Sequence, residues 1–207
     1  MINGPDGKKL SKRHGATAVG DYQHLGILPA AMRNFLALLG WSPGGDREIM
    51  TLDEMVQLFS FEGVQKKSAI FDVTKLEWMN GQYLSLASAE ELYPLVAPQL
   101  EKLGLAAGRD AVLAGVAAVK TRSRTTLDVA RQVAVRLDPK FVAVDEKAKK
   151  EIAKDPAGHK ASLEASLNAL RDADWTPAAL EQRLRELAEQ RGVAAGKVFQ
   201  PIRIALT

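Results

Sequence analysis

The sequence has 207 residues, a formal net charge of +3 and no cysteine. A chain of this length can form one large or two small domains with a real core. The lack of cysteine excludes a disulfide framework and a cysteine-based zinc site, and three scattered histidines make no convincing metal site, so we expect no metal in this chain. The longest apolar run, residues 111–119, is far shorter than the roughly 20 residues that a membrane span needs. Without an apolar signal core at the N-terminus, a cytoplasmic location and no membrane partner are expected.

The positive charge is concentrated in two parts of the chain. Residues 1–24 carry four Lys or Arg against two Asp or Glu, and residues 109–154 carry eleven against six. Residues 25–108 are acidic, and residues 155–207 are balanced. A partner that carries phosphate groups could contact both basic parts.

The first stretch with a chemical signature is residues 4–15, which place four cations and a serine between glycines. Glycine lets backbone N–H groups approach an anion closely, and lysine supplies a mobile charge suited to polyphosphate. Residues 5–7, Pro-Asp-Gly, predict a turn within a short hairpin. The stretch fits a loop that holds a phosphorylated ligand, and a solvated basic loop is the alternative.

Beyond this loop the hydrophobic pattern is helical almost throughout. Pro29 suits the first position of a helix that Gly40 ends. Residues 51–54, Thr-x-x-Glu, form a capping box at the start of a helix that carries an apolar stripe. Asp72 is expected to cap a short helix that stops at residues 80–81, Asn-Gly.

A second capping box, residues 88–91, predicts the next helix start. Pro94 and Pro98 lie inside that helical pattern and argue against one continuous helix. Residues 111–120 are expected to form a buried helix, and the helix after it is closed by Pro139.

The last part of the chain continues the helical pattern. Residues 145–154 predict a short, polar, exposed helix, and a leucine stripe follows over residues 163–170. Residues 175–177 open another helix that Gly192 stops, and residues 197–206 begin a last one. We expect the methionine and leucine stripes to form the core, because this spacing is that of packed helices.

Residues 9–13 read Lys-Leu-Ser-Lys-Arg, which resembles the second ATP-binding signature of class I aminoacyl-tRNA synthetases, usually written K-M-S-K-S. Together with residues 14–16, His-Gly-Ala, this variant looks like glutamate–tRNA ligase. The resemblance continues through residues 39–41, 71–80 and 196–203, in the order of that family. The chain is therefore identified as the C-terminal part of such an enzyme, from the lysine-rich loop onward.

For the loop, the resemblance implies a place in the ATP site. Lys9 and Lys12 would be the catalytic residues, and Lys9, Ser11 and Lys12 would bind ATP. The two cations would offset the negative charge that develops as glutamate attacks the α-phosphate and pyrophosphate leaves. ATP with Mg²⁺ would be used by the parent enzyme only, and no zinc site is implied in this chain.

For tRNA binding, the resemblance implies two pairs of cations. Arg122 and Arg124 lie in a polar stretch between two predicted helices, and arginine can pair with phosphate or stack on an unpaired base. On sequence alone, cations placed against a helix C-terminus explain this stretch equally well. Lys197 and Arg203 lie in the last matching segment, where ordinary surface charge is the alternative.

The implied fold is mainly α, and the catalytic nucleotide fold is expected to be absent from this chain. Residues 1–24 would hold the K-M-S-K-S-type loop and lead into a small helical connecting domain, residues 25–87, that contacts the tRNA stem. Residues 88–154 and 155–207 would be two all-helical anticodon-binding domains, the second incomplete at its C-terminus.

The expected function is the tRNA-binding part of glutamate–tRNA ligase, which activates glutamate with ATP and transfers it to tRNA. The expected partners are tRNA and the upstream catalytic half of the same enzyme, with the chain monomeric and inactive alone. Two alternatives stay open on the sequence. One is a free-standing helical nucleic-acid-binding module without catalysis, and the other is a helical protein whose basic segment meets an acidic protein.

Overall fold

Helices make up most of the part of the chain that is described by the computed structural model, residues 1–11 and 18–206. In chain order the helices are α1 (Asp21–His24), α2 (Pro29–Leu38), α3 (Leu52–Leu58), α4 (Val73–Leu86), α5 (Ala89–Lys102), α6 (Arg109–Val119), α7 (Thr126–Leu137), α8 (Glu146–Lys154), α9 (Pro156–Leu170), α10 (Pro177–Gln190) and α11 (Gly196–Leu206). Two short strands, β1 (Ile2–Asn3) and β2 (Ala69–Ile70), and two 3₁₀ turns, Lys120–Arg122 and Pro139–Phe141, complete the described elements. The prediction of a mainly α fold is confirmed.

Contacts between residues divide the chain into two units, Met1–Leu137 and Asp138–Thr207. In the first unit α2 packs on α4, and α5, α6 and α7 pack on one another. The inner faces of α4, α5, α6 and α7 carry fully buried apolar side chains, among them Leu76, Met79, Leu92, Val96, Val116 and Val133. Removal of this apolar surface from water is the main force that holds the unit together.

The N-terminal hairpin forms as the sequence predicts. The Gly4 N–H donates to the Lys8 carbonyl at 2.8 Å, and Gly7 has a φ of 72°, which glycine adopts without a steric penalty. The hairpin is also held by a pairing that sequence reasoning missed: β1 runs parallel to β2, with Ile2 opposite Ala69. Strands of two residues show no alternation, so the pattern alone carried no sign of this pairing.

Both predicted capping boxes are present, at Thr51 for α3 and at Ser88 for α5. In each box the cap hydroxyl accepts the N–H of the glutamate three residues on, and the carboxylate accepts the N–H of the cap. These hydrogen bonds to the charged carboxylates lower the pKa of Glu54 and the pKa of Glu91. Local sequence therefore fixes where these two helices begin.

The predicted end of the fourth helix is wrong. Instead of stopping at Asn80 and Gly81, α4 runs through both residues to Leu86. Both residues are buried, and tertiary contacts outweigh their weak helix propensity. The two prolines do not interrupt the next helix. Residues 89–102 form one continuous helix, α5, with Pro94 and Pro98 at exposed positions.

Two apolar stripes do not face the core as predicted. In α3 only Met55 is buried, whereas Val56 is 69% exposed. In α9 the leucine stripe is partly outside, with Leu167 67% exposed, and the buried positions are Ser162 and Ser166. These small residues satisfy their hydroxyls on nearby backbone, since Ser162 Oγ donates to a carbonyl of α11 at 2.9 Å. Close helix approach, rather than side-chain hydrophobicity, selects the inner face of α9.

The second unit is built on α9, α10 and α11, whose packed residues include Leu184, Ala188 and Val198. The polar helix α8 has no buried residue, in agreement with its sequence. Across residues 1–11 and 18–206, no helix combines the length and the apolar character needed to cross a lipid bilayer.

Candidate nucleic-acid interface

The lysine-rich loop is described only in part. Lys9 is exposed and lies at the end of the hairpin, where its backbone bridges to Asn3. Ser11 is half-buried, and Lys12 lies outside the described residues. Within the ranges 1–11 and 18–206, no group of three or more His, Asp or Glu side chains is placed to hold a metal ion. The described part of the loop therefore presents an exposed lysine next to a hydrogen-bonded turn.

The turn between α6 and α7 carries the first predicted pair of cations. Arg122 ends the 3₁₀ turn, Arg124 follows two residues later, and both side chains are exposed. The backbone here is fixed by Asp128, whose Oδ2 accepts the N–H groups of Arg124 at 3.2 Å and Thr125 at 3.0 Å. Two arginines are thus presented to solvent from a turn that has a defined conformation.

Lys120, in the same basic stretch, has a different task. Its Nζ donates to the carbonyls of Ser85 at 2.6 Å and Ala87 at 2.7 Å, at the end of α4. The charge satisfies carbonyl groups that a helix end leaves without partners. The interpretation of this stretch as cations placed against a helix terminus therefore holds for Lys120, although the helix is α4.

Beneath Arg124 lies the buried amide of Asn80. Its Nδ2 donates to the carbonyl of Arg124 at 2.6 Å and to that of Gly26 at 3.1 Å. Its Oδ1 accepts the N–H of Leu28 at 2.8 Å. One side chain on α4 thereby joins the loop before α2 to the turn before α7. Its hydrogen bond to the Arg124 carbonyl fixes the position of the Arg124 backbone relative to α4.

Gly81, the next residue on α4, lets the turn approach this closely. A Cβ at Gly81 would lie 3.1 Å from the Ser123 carbonyl oxygen and 3.3 Å from Arg124 Cδ. Sequence reasoning assigned both Asn80 and Gly81 to a helix end. The available signal was a polar residue and a glycine inside an otherwise apolar helical pattern.

Arg124 also lines an open cleft of about 460 Å³ on the first unit. The half-buried ring of Trp78 lies in the same lining, beside Lys75, which forms an ion pair with Glu48. An arginine and an aromatic ring that line the same cleft can contact the phosphate and the base of an unpaired nucleotide. Sequence reasoning did not select Lys75 or Trp78 as site residues.

The second predicted pair lies on α11, in the second unit. Lys197 and Arg203 are six positions apart, so their side chains lie about 120° apart around the helix axis, with Gln200 between them. Lys197 lines a cleft of about 550 Å³, and Arg203 lines an adjoining one of about 320 Å³. Gln200 and Glu151 belong to both linings, so within this unit the two clefts adjoin at these side chains.

Comparison with family models identifies the class of domain. Residues 87–207 match the model described as "Anticodon binding domain", and residues 1–78 match that of "tRNA synthetases class I (E and Q), catalytic domain". The first match covers more than half of the sequence. The chain therefore belongs to the anticodon-binding-domain family.

The individual relatives and the solved structure that match this chain are glutamate–tRNA ligases. Glutamate–tRNA ligase 2 of Rhodospirillum rubrum is 42% identical, and glutamate–tRNA ligase 2 of Koribacter versatilis is 40% identical. Each alignment covers 100% of this chain and 44% of the relative. A crystal structure of a glutamate tRNA ligase from Elizabethkingia meningosepticum superposes with a TM-score of 0.75 at 31% identity, over 100% of this chain and 44% of that one. The resemblance to glutamate–tRNA ligases predicted from the sequence is confirmed, and the chain spans less than half the length of these relatives.

Proposed function

We propose that this chain serves as the tRNA-binding part of a glutamate–tRNA ligase, an enzyme that activates glutamate with ATP and transfers it to tRNA. The observation that carries the proposal is the fixed, solvent-facing position of Arg124, within the region that matches the anticodon-binding family. Arg122, Lys197 and Arg203 are the further proposed tRNA contacts. The proposed partners are tRNA and the remainder of the same enzyme, with a monomeric state and a cytoplasmic location.

The domain assignment belongs to the same proposal. Residues 1–24 carry the lysine-rich loop, residues 25–87 form the connecting domain, and residues 88–154 and 155–207 form the two anticodon-binding domains. The capping box at Ser88 supports a new element at the second boundary. The match to the catalytic-domain family ends at residue 78, which supports a boundary between that residue and Ser88.

For the lysine-rich loop, we propose contact with the phosphates of ATP through Lys9, Ser11 and Lys12. The exposed side chain of Lys9 at the end of the hairpin fits such a contact. MgATP is the substrate of the whole enzyme in this proposal. The cations of the loop supply charge stabilisation for the departing pyrophosphate, and nothing else in the chemistry is assigned to this chain.

The 207 residues by themselves are expected not to form glutamyl-adenylate, because one lysine-rich loop supplies only part of an ATP site. The measurement is glutamate-dependent exchange of labelled pyrophosphate into ATP. A full-length glutamate–tRNA ligase assayed in parallel shows that the reagents are competent. Exchange catalysed by the 207 residues above the background without protein would contradict this expectation.

Replacing Arg124 with alanine is expected to weaken tRNA binding by roughly 5- to 150-fold, the equivalent of about 1–3 kcal/mol for one base contact. The change should also reduce discrimination between a tRNA with a glutamate anticodon and the same tRNA with an exchanged anticodon. Filter binding with both tRNAs measures the two effects, and duplex DNA in the same assay reports general polyanion binding.

The matched control is Arg109→Ala, in the same basic segment. Arg109 already pairs with Glu90 and lies over the ring of Tyr93, so its loss should change tRNA affinity little. If the Arg124 variant binds each of the two tRNAs as tightly as the unchanged chain does, the role of Arg124 is refuted.

A further inference from the structure

Another arginine of the first unit is linked to the α6–α7 turn through a glutamine and has no assigned role. Arg136 is in the last turn of α7, and its Nη1 donates to the carbonyl of Gln132 at 2.8 Å. Gln132 in turn reaches the α6–α7 turn, since its Nε2 donates to Ser123 Oγ at 3.0 Å. The residue that holds Arg136 is therefore bonded to the residue that follows Arg122.

Arg122 is held in the same way from the other helix. Its Nη2 donates to the carbonyl of Ala118, four residues earlier, at 2.8 Å. Each guanidinium thus uses one N–H on a backbone carbonyl of its own segment. A guanidinium has five N–H donors, so both side chains keep most of their donors for another acceptor.

Some cations of the basic segment, residues 109–154, are paired with a carboxylate, whereas among the residues that the structure describes these two arginines are not. The paired cations are Arg109 with Glu90, Lys140 with Asp138, Lys149 with Glu146 and Lys154 with Glu151. In the described part of the chain, neither Arg122 nor Arg136 has an acidic group within ion-pair distance.

The two positive charges also act on each other. The pKa of the Arg136 guanidinium is lowered, first by its partial burial and then by the nearby charge of Arg122. Two cations that repel each other, with donors to spare and no counter-charge, gain stability when an anion binds between them. Arginine pairs well with phosphate because two N–H groups can meet two oxygens.

We propose that Arg122 and Arg136 form a phosphate-binding site on the α6–α7 hairpin, and that its ligand is a phosphodiester group of RNA. Arg136 is the new residue in this site, and the choice of RNA rests on the proposed function. A backbone phosphate carries no base identity, so this site contributes affinity and orientation rather than anticodon choice. Its role is therefore separable from that of Arg124.

The test uses the full 207-residue chain and the variants Arg136→Gln and Arg136→Lys. For Arg136→Gln, the slope of log affinity for tRNA against log salt should decrease by roughly 0.7–0.9, the value for one lost phosphate contact. The affinity should fall by the same factor for tRNAs of different anticodon. Arg136→Lys, which keeps the charge, should retain most of the slope, and Arg109→Gln is the control for removing a charge that is already paired.

A second measurement does not depend on tRNA. Inorganic phosphate should raise the unfolding temperature of the unchanged chain more than chloride at equal ionic strength, because a bound anion stabilises the folded state. Because phosphate also stabilises folded proteins through its exclusion from their surface, the increase should be smaller, but not absent, in Arg136→Gln and unchanged in Arg109→Gln. An unchanged salt slope together with an unchanged phosphate effect in Arg136→Gln would overturn the site.

The two measurements also separate this inference from the proposed function. If the unchanged chain binds no tRNA, the proposed function fails and so does RNA as the ligand. The phosphate effect on unfolding still decides whether Arg136 holds an anion. If tRNA binds but Arg136→Gln alters neither measurement, the proposed function stands and the site is wrong.

Discussion

Replacing Asn80 with alanine is expected to destabilise the first unit by roughly 3 kcal/mol or more, because a buried polar group that loses its partner costs about 1–3 kcal/mol. The side chain of Asn80 is fully buried and serves three backbone groups: the N–H of Leu28 and the carbonyls of Gly26 and Arg124. Alanine leaves all three without this partner and opens a small cavity. For a unit of this size the loss corresponds to a decrease of about 10 °C in the unfolding temperature.

Thermal and urea unfolding, followed by circular dichroism, measure this effect. Asn168→Ala is the control, since Asn168 is exposed on α9 and the same substitution there removes no buried partner. Asn80→Asp keeps the acceptor but turns a carboxylate toward two carbonyls, so it should be at least as destabilising at neutral pH. A loss below about 1 kcal/mol in Asn80→Ala would show that water replaces the amide, contrary to this account.

Replacing Gly26 with alanine is expected to cost roughly 2–5 kcal/mol, the sum of a left-handed backbone conformation and an overpacked contact. Gly26 has a φ of 80°, and a Cβ there would lie 2.9 Å from the backbone nitrogen of Thr126 and 3.0 Å from that of Leu127. These atoms belong to the first turn of α7 and cannot move as a flexible side chain can. The Gly26 carbonyl also accepts the N–H of Thr126 at 3.0 Å, so any displacement strains that bond.

Gly104→Ala separates the two contributions. Gly104 has a nearly equal φ of 77°, but a Cβ there meets no atom within 4 Å. Its substitution should cost only the backbone part, about 1–2 kcal/mol. Urea unfolding of both variants measures the difference in the free energy of unfolding. Equal losses in the two variants would show that the close approach between Gly26 and α7 does not affect stability.

The features that the sequence predicted well depend on neighbours in the chain. Capping boxes at Thr51 and Ser88, the helix start at Pro29 and the turn before Lys8 are all decided within four residues. Asn80 shows the limit of such reasoning. Locally an asparagine followed by glycine favours a helix end, but the partners of this amide lie 44 to 54 residues away in the sequence. Only the folded chain brings them together.

The candidate site shows the same division. A basic stretch between two helices was predictable, and the structure places Arg122 and Arg124 there at exposed positions. The stretch did not reveal that Lys120 serves the end of α4, because the carbonyls it binds lie 33 and 35 residues away. Arg136 was missed because it reads as an ordinary helical residue. Its relation to Arg122 depends on how α6 and α7 pack.

The bonds from α4 to the α6–α7 turn have a consequence for any exchange of parts between related enzymes. A chimera joined at residue 88 takes the turn with Arg124 from one parent and the Asn80–Gly81 support from the other. If the parents differ at residue 80 or residue 81, the backbone of the arginine would lie at a different distance from α4. This would occur even if every residue after the junction were preserved. A junction after Leu137, where the first unit ends, transfers the arginine and its support together.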